Sequence, residues 1–235
     1  MKPTLLLFDI DGTLLRTRGA GRRAMARTFD SRYGQPEALK FRFDGMTDRA
    51  IMRGAMERLV GREEPSWSGE VLEAEVDALL AIYIDALADE AARATDFFVC
   101  PGVHSILDLC DAQTQVYMGL GTGNVMRGAE IKLGRVDLFA RFSFGGYGSD
   151  HLLRESILRA AVSRGALAAQ RPAEECRVVV IGDTPRDVAA ARAIGAECIS
   201  VATGDYSLDE LRACEPTHLL ATLEDPRTPT MLFEG

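Results

Sequence analysis

The stretch FDIDGTL, residues 8–14, decides the fold expected for this chain. It continues an apolar run and places two carboxylates, Asp9 and Asp11, one residue apart, directly before Gly12 and Thr13. Side chains two residues apart on an extended strand point to the same face, so both carboxylates can aim at one spot beyond the strand's carboxyl end. Open α/β sheets bind ligands there, although an isolated D-G-T is more simply a turn that caps a helix.

The rest of the chain alternates between apolar runs and helical patterns. Buried parallel strands are predicted at residues 4–8, 116–120, 142–147, 177–181 and 199–202. Helical patterns lie between the later ones, at residues 124–133, 153–163 and 186–194. Such alternation predicts an α/β fold, a Rossmann-like parallel sheet covered by helices and joined by right-handed crossovers.

The interval after the first strand breaks this rhythm. Residues 14–96 contain no convincing strand, but they carry amphipathic helical stretches at residues 22–33, 48–60 and 70–93. This interval is too long for one crossover helix. We therefore expect an α/β core formed by residues 1–14 and 97–235, with residues 15–96 inserted as a helical cap.

Composition sets limits on partners. The 235 residues are 47% hydrophobic and 26% charged, as in an ordinary globular protein, and the net charge is -8. An acidic chain is not expected to bind nucleic acid or anionic membranes in general. Neither a membrane span nor a secretory signal is visible, so we expect a cytoplasmic protein, a monomer or a homodimer, with its five cysteines reduced.

The segment GLGTGN, residues 119–124, ends a predicted strand at a possible phosphate loop. The hydroxyl of Thr122 and the amides near Gly123 and Asn124, at the start of a helix, could hold a phosphate. A nucleotide or S-adenosylmethionine loop is an alternative, as is a simple helix cap by Thr122. The methyltransferase alternative lacks the acidic residue expected after a following strand.

The segment GDTPRD, residues 182–187, follows the most apolar strand and leads into an alanine-rich helix. Together with Asp9, its carboxylates Asp183 and Asp187 would form an oxygen-rich site suited to Mg²⁺. Alternatively, Asp183 caps the helix while Asp187 faces solvent.

In order, spacing and strand context, these three motifs resemble those of the haloacid dehalogenase superfamily, in particular its phosphoglycolate phosphatase-like hydrolases with a helical cap. The resemblance implies Asp9 as nucleophile and Asp11 as general acid and base. It also implies Mg²⁺ held by Asp9, the Asp11 main-chain carbonyl and Asp183, with Asp187 acting through water or by orienting its neighbours. Phosphate contacts are implied for four residues: Gly12, Thr13, Gly123 and Asn124.

The family's third motif is usually a lysine at a helix start between the second and fourth motifs. Lys132 lies too close behind Thr122 and is interpreted as a surface charge. Arg154, in DHLLRESIL, opens a predicted helix at the corresponding place, so we expect it to replace the lysine. A solvated helix charge is the alternative for Arg154.

The cap is less informative. Its basic residues could reach a second anionic group on a substrate, but solvated side chains are favoured. They are Arg16, Arg18, Arg22 and Arg23. Thr47 and Asp48 could face the active site, although Thr47 could equally cap a helix. The three histidines show no spacing typical of metal ligands.

The predicted function is a Mg²⁺-dependent phosphatase acting on a small phosphorylated metabolite, with phosphoglycolate as the nearest named candidate. A phosphomutase of the β-phosphoglucomutase type is the alternative enzyme on the same fold. A non-catalytic phosphate- or nucleotide-binding module is the alternative outside enzymes, and the presence of both Asp9 and Asp11 argues against it.

Overall fold

The computed structural model describes residues 2–59 and 69–234. The strands are β1 Thr4–Phe8, β2 Leu15–Arg16, β3 Phe98–Val99, β4 Val116–Gly121, β5 Phe144–Gly146, β6 Arg177–Gly182, β7 Glu197–Val201 and β8 His218–Leu220. The helices are α1 Ala20–Tyr33, α2 Asp48–Met56, α3 Gly69–Arg93, α4 Val103–Asp111, α5 Met126–Gly134, α6 Arg154–Ala169, α7 Pro185–Ala193, α8 Leu208–Arg212 and α9 Thr228–Phe233.

Six strands form one parallel sheet in the order β5-β4-β1-β6-β7-β8. The first strand lies in the middle of this sheet because both of its faces are apolar. Leu6 and Phe8 pack into the hydrophobic cluster on one face, and Leu5 and Leu7 pack into the cluster on the other. The predicted α/β fold with a parallel sheet covered on both faces is confirmed.

The expected elements are present, with shifted ends. Helix α5 begins at Met126 rather than at Asn124, and α6 continues to Ala169. Strands β3 and β8 and helices α4, α8 and α9 were not predicted. The end of the helix expected over residues 48–60 lies outside the described residues, and α2 itself ends at Met56.

The helices after β1 have a hydrophobic cluster of their own. Helices α1, α2 and α3 contribute Phe29, Met52, Tyr83 and Leu87, all fully buried. At its base, β2 pairs antiparallel with β3, so the expectation of no strand after residue 14 is wrong for Leu15–Arg16. A two-residue strand is too short to show a period in sequence. The role of residues 15–96 as a cap remains a proposal.

No helix within the described ranges combines the length and apolarity needed to cross a lipid bilayer.

Candidate active site

Every buried charged side chain among residues 2–59 and 69–234 belongs to one region, at the carboxyl ends of the central strands. These residues are Asp9, Asp48, Lys132, Arg154, Asp183 and Asp187. Burying charges in one place is costly unless they compensate one another or bind a cation. Four carboxylates and only two cations are buried here, so the region carries excess negative charge.

Asp9 follows β1, and its backbone NH donates to the Ile181 carbonyl of β6 at 2.9 Å. One carboxylate oxygen of Asp9 lies 2.9 Å from the guanidinium of Arg154, which is only 8% exposed and also pairs with Asp187. Burial raises the pKa of Asp9 to about 6, and Arg154 opposes that rise. The alternative of a solvated Arg154 is therefore wrong, and the arginine neutralises part of the charge around Asp9.

Three carboxylates form a cluster suited to a cation. One oxygen from each of Asp9, Asp183 and Asp187 lies within 4.8 Å of the others. Burial, and then the charge of Asp187, raises the pKa of Asp183 well above its usual range. An all-oxygen donor set with uncompensated charge fits Mg²⁺. The expected Asp9, Asp183 and Asp187 come together, whereas the Asp11 carboxylate is not in this cluster.

Close packing fixes Asp183 in place. Thr13 donates its hydroxyl to Asp183 at 2.9 Å. The backbones of Gly12 and Gly204 approach so closely that a β-carbon at either position would collide with the Asp183 carboxylate. Gly12 also has a backbone φ of 87°, which residues other than glycine rarely adopt. Thus Gly12 and Thr13, predicted to contact phosphate, position Asp183.

Asp187 lies at the first turn of α7 in a reciprocal cap with Thr184. The Thr184 hydroxyl donates to Asp187 at 2.7 Å, and the Thr184 amide donates to it at 3.0 Å. Asp187 is fully buried, so the alternative of a solvent-facing Asp187 is wrong. Helix capping and a role in the carboxylate cluster are combined in one residue.

Lys132 is the main correction to the sequence interpretation. It is 4% exposed, and its ammonium donates to the carboxylate of Asp11 and to the side-chain carbonyl of Asn124, both at 2.6 Å. Burial lowers its pKa, but Asp11 and Asp48 outweigh burial and hold the pKa above its ordinary value. The prediction of a surface charge is wrong because the partner Asp11 is 121 residues away in sequence.

The loop after β4 supplies one further contact to Asp11. Asn124 donates through its side-chain amide to Asp11 and to the Thr122 hydroxyl, both at 2.9 Å. Thr122 is fully buried and is not among the residues that line the cavity described below. Gly123 and Asn124 do line that cavity. The phosphate contacts expected for Thr122, Gly123 and Asn124 therefore remain predictions.

Asp48, at the start of α2, is held against the same loop. Its backbone NH donates to the Gly123 carbonyl, and its carboxylate accepts from the Val125 amide, both at 2.8 Å. Burial raises the pKa of Asp48 to about 6, and Lys132 opposes that rise. Thr47 caps α2, accepting from the Ala50 amide at 3.1 Å. Asp48 lines the cavity described below, whereas Thr47 does not and is the helix cap.

A cavity of about 360 Å³ opens above Asp9 and Asp11, between the α/β sheet and the helices that follow β1. Its walls include Arg16, Arg18 and Arg22. Arg16 donates to the carbonyls of Thr203 and Gly204, both at 2.9 Å. The lining also includes apolar and aromatic residues, namely Met25, Phe43, Ile51 and Tyr83. Their role was not predicted, because amphipathic spacing does not separate core positions from cavity walls.

Other residues singled out in the sequence lie elsewhere. Arg23 pairs with Glu90 and does not line the cavity. The five cysteines are free thiols. Burial raises the pKa of Cys100 to about 11, which makes it a poor nucleophile.

Comparisons with known proteins agree with the resemblance that the sequence motifs predict. Residues 154–226 match the model of the HAD-hydrolase-like family, in which HAD stands for haloacid dehalogenase. A search of curated proteins found no match.

Solved structures share the whole fold at low sequence identity. A predicted phosphatase from Clostridium acetobutylicum is 14% identical, with 98% of this chain and 99% of that chain covered and a TM-score of 0.67. A haloacid dehalogenase-like family protein from Streptococcus pneumoniae is 15% identical, with 95% and 96% covered and a TM-score of 0.63. CbbY from Rhodobacter sphaeroides, in complex with xylulose-1,5-bisphosphate, is 17% identical, with 95% and 96% covered and a TM-score of 0.66.

These matches confirm the resemblance in fold over the whole chain and in the family model over residues 154–226. The chain has the fold of the haloacid dehalogenase-like hydrolases, and its residues 154–226 match that family's model.

Proposed function

We propose that this protein is a phosphatase that hydrolyses a small phosphomonoester through an aspartyl-phosphate on Asp9. The observation that carries the proposal is the pairing of two aspartates with two different buried cations. Asp9 contacts Arg154, and Asp11, two residues later, contacts Lys132. Both aspartates line the same cavity.

Asp9 is the group placed to attack phosphorus. Its carboxylate forms the new bond to phosphorus while the bond to the ester oxygen breaks. Arg154 lies against Asp9 and can hold equatorial oxygens of the transferring phosphoryl group, whose charge spreads outward in the transition state. The arginine thus orients the nucleophile and stabilises the transition state.

Asp11 is the group placed to move the proton. It gives a proton to the departing alkoxide, then takes one from the water that attacks the aspartyl-phosphate, which releases inorganic phosphate and restores Asp9. Its side chain is 42% exposed, so it can reach both the leaving group and water. Lys132 and Asn124 fix its orientation through one carboxylate oxygen.

Mg²⁺ is the proposed cofactor, since the carboxylate cluster fits it. Asp9, Asp183 and Asp187 would hold the ion, with the main-chain carbonyl of Asp11 as a further expected ligand. When bound, Mg²⁺ screens the anionic substrate from the carboxylates. The buried excess of negative charge is the structural reason to expect it.

The substrate is expected to be a small phosphorylated metabolite, since the cavity is small and has a basic rim. CbbY, which shares the fold, binds a sugar bisphosphate. Phosphoglycolate remains a named candidate. A phosphomutase outcome uses the same residues and differs only in returning the phosphoryl group to a sugar instead of to water.

The test is phosphate release by the purified protein from a panel of phosphomonoesters, with Mg²⁺ and with a chelator. We expect Mg²⁺-dependent release that disappears in Asp9→Asn, while the thermal unfolding midpoint shows an intact fold. Substantial release by Asp9→Asn would remove Asp9 from the role of nucleophile. Binding of the same esters without any release would favour the non-catalytic module.

A further inference from the structure

Tyr83 of α3 has a buried hydroxyl that nothing in the mechanism above uses. The side chain is fully buried, and its hydroxyl has no hydrogen-bond partner within residues 2–59 and 69–234. A buried hydroxyl without a partner costs about 1–3 kcal/mol. Phenylalanine would fill the same space without that cost, so the hydroxyl is not explained by packing.

The hydroxyl faces a niche in the cavity wall that Gly21 leaves open. A β-carbon at Gly21 would have three nearest neighbours: the Lys132 ammonium nitrogen at 3.5 Å, the Lys132 ε-carbon at 3.7 Å and the Tyr83 hydroxyl at 3.8 Å. Tyr83, Gly21 and Lys132 all line the cavity. All three are ordinary van der Waals distances, so a methyl group on residue 21 would fit the niche and would contact two hydrogen-bond donors.

The charges around the niche select the kind of atom that fits. Burial, and then the nearby Asp48 and Asp11, raises the pKa of Tyr83 well above its ordinary value, so the phenol keeps its proton and can donate. The charge of Lys132 is already matched by Asp11. A further anion in the niche would face Asp11 and Asp48, whereas a neutral hydroxyl oxygen would accept from Tyr83 without that repulsion.

We propose that the niche over Gly21 is a subsite for a hydroxyl group on the organic part of the substrate, with Tyr83 as its specificity-determining residue. The inference rests on the proposed phosphatase function. With such a subsite, the preferred substrates are phosphomonoesters that carry a free hydroxyl group near the ester, rather than plain alkyl phosphates.

The test compares two esters of equal carbon skeleton, glycerol 1-phosphate and n-propyl phosphate. The readout is the ratio of their kcat/KM values, which cancels general damage to the catalytic machinery. We expect the wild type to prefer the hydroxylated ester. Tyr83→Phe should lower the ratio about tenfold, the scale of one hydrogen bond, and Gly21→Ala should lower it similarly by filling the niche.

Matched controls separate this role from a structural one. Tyr33→Phe makes the same change at a helical tyrosine whose hydroxyl pairs with Glu75, away from the cavity. Gly54→Ala, in α2, adds a methyl group in ordinary contact with the Phe41 ring. Neither should change the ratio. Tyr83→Phe should also keep or raise the thermal unfolding midpoint, because it removes an unpaired buried hydroxyl.

An unchanged ratio in both Tyr83→Phe and Gly21→Ala overturns the subsite. If the wild type hydrolyses neither ester, the phosphatase proposal fails for these substrates, and the subsite is then tested by binding. In that case glycerol 1-phosphate should raise the unfolding midpoint of the wild type more than that of Tyr83→Phe, and equal shifts would overturn the subsite independently of turnover.

Discussion

The two halves of the candidate active site each contain one buried cation, but they are built differently. Arg154 starts a core helix and contacts Asp9 and Asp187, which follow two neighbouring strands of the sheet. Lys132 lies in the last turn of α5 and contacts Asp11, within the electrostatic reach of Asp48 from the helical insertion. The first half is assembled by the sheet and the helices that follow its strands, with one long contact to the insertion, from Arg154 to the Gly45 carbonyl at 3.4 Å. The second half has a buried carboxylate of the proposed cap, Asp48, held against its loop.

This difference indicates a division of work between the two cations. In the proposed mechanism, Arg154 lies beside the nucleophile Asp9, and Lys132 lies beside Asp11, which handles the leaving-group proton. Loss of Arg154 should therefore affect all esters alike. Loss of Lys132 should depend on the leaving group.

The largest effect is expected for Arg154→Ala. Removing the charge beside Asp9 should lower kcat by roughly 100-fold or more, about 3 kcal/mol, for aryl and alkyl phosphates alike. Steady-state kinetics on both ester types measures it. Arg159→Ala, at an exposed position of the same helix, is the control and should behave like the wild type.

The next effect is expected for Lys132→Ala. Without the ammonium, Asp11 loses its orientation, so kcat on alkyl esters should fall by about 30-fold, less than the roughly 100-fold or more that a whole general acid–base group contributes, because Asp11 itself remains. Activated aryl esters, which need little protonation, should lose much less. Arg127→Ala, an exposed charge on α5, is the control. Equal losses on both ester types would contradict the proposed division of work.

Conservative exchanges sharpen the comparison further. Arg154→Lys keeps a charge beside Asp9 and should recover about tenfold in kcat over Arg154→Ala. Lys132→Arg should recover little, because the larger guanidinium must fit a site where the lysine is already enclosed. Equal recovery in both variants would show that charge alone matters at each position.

The pH dependence of stability probes Asp48 in the second half. Its folded pKa of about 6 lies above the ordinary value of 3.8, so its contribution to stability is present below about pH 4 and is lost as pH rises through about 6. The wild type should therefore lose about 2 kcal/mol of its free energy of unfolding between pH 4 and pH 7 through Asp48, and Asp48→Asn should not show this loss. Urea unfolding with a chelator, on both proteins across that range, measures the difference. Parallel curves would contradict the raised pKa.

The smallest effect is expected at the cavity rim. Arg22 lines the cavity, whereas Arg49 pairs with Glu73 and Asp77 outside it. Arg22→Ala should change the preference among anionic esters by only about threefold, because exposed charges interact weakly. Arg49→Ala should leave the preference unchanged. A larger shift for Arg49→Ala would place substrate recognition outside the cavity.

Local sequence determined the parallel sheet and the site at its edge. The unbroken apolar strands could only be buried between helices, and carboxylates that directly follow such strands must meet at one edge. For that reason Asp9, Asp183 and Asp187 could be placed from motifs and spacing, whereas Arg154 was placed through the resemblance to the family's third motif. Which of these residues become neighbours depends on the order of the strands in the sheet. The alternation of strands and helices along the chain largely fixes that order.

Only the tertiary structure decided the second half of the site. The helical position of Lys132 fits a surface charge, and its burial follows from Asp11, which is distant in sequence. The niche over Gly21 exists because α1, α3 and α5 converge there, and no local pattern encodes how three helices pack. Short-range periodicity records which face of a helix is buried, whereas the identity of the buried partners is set by long-range packing.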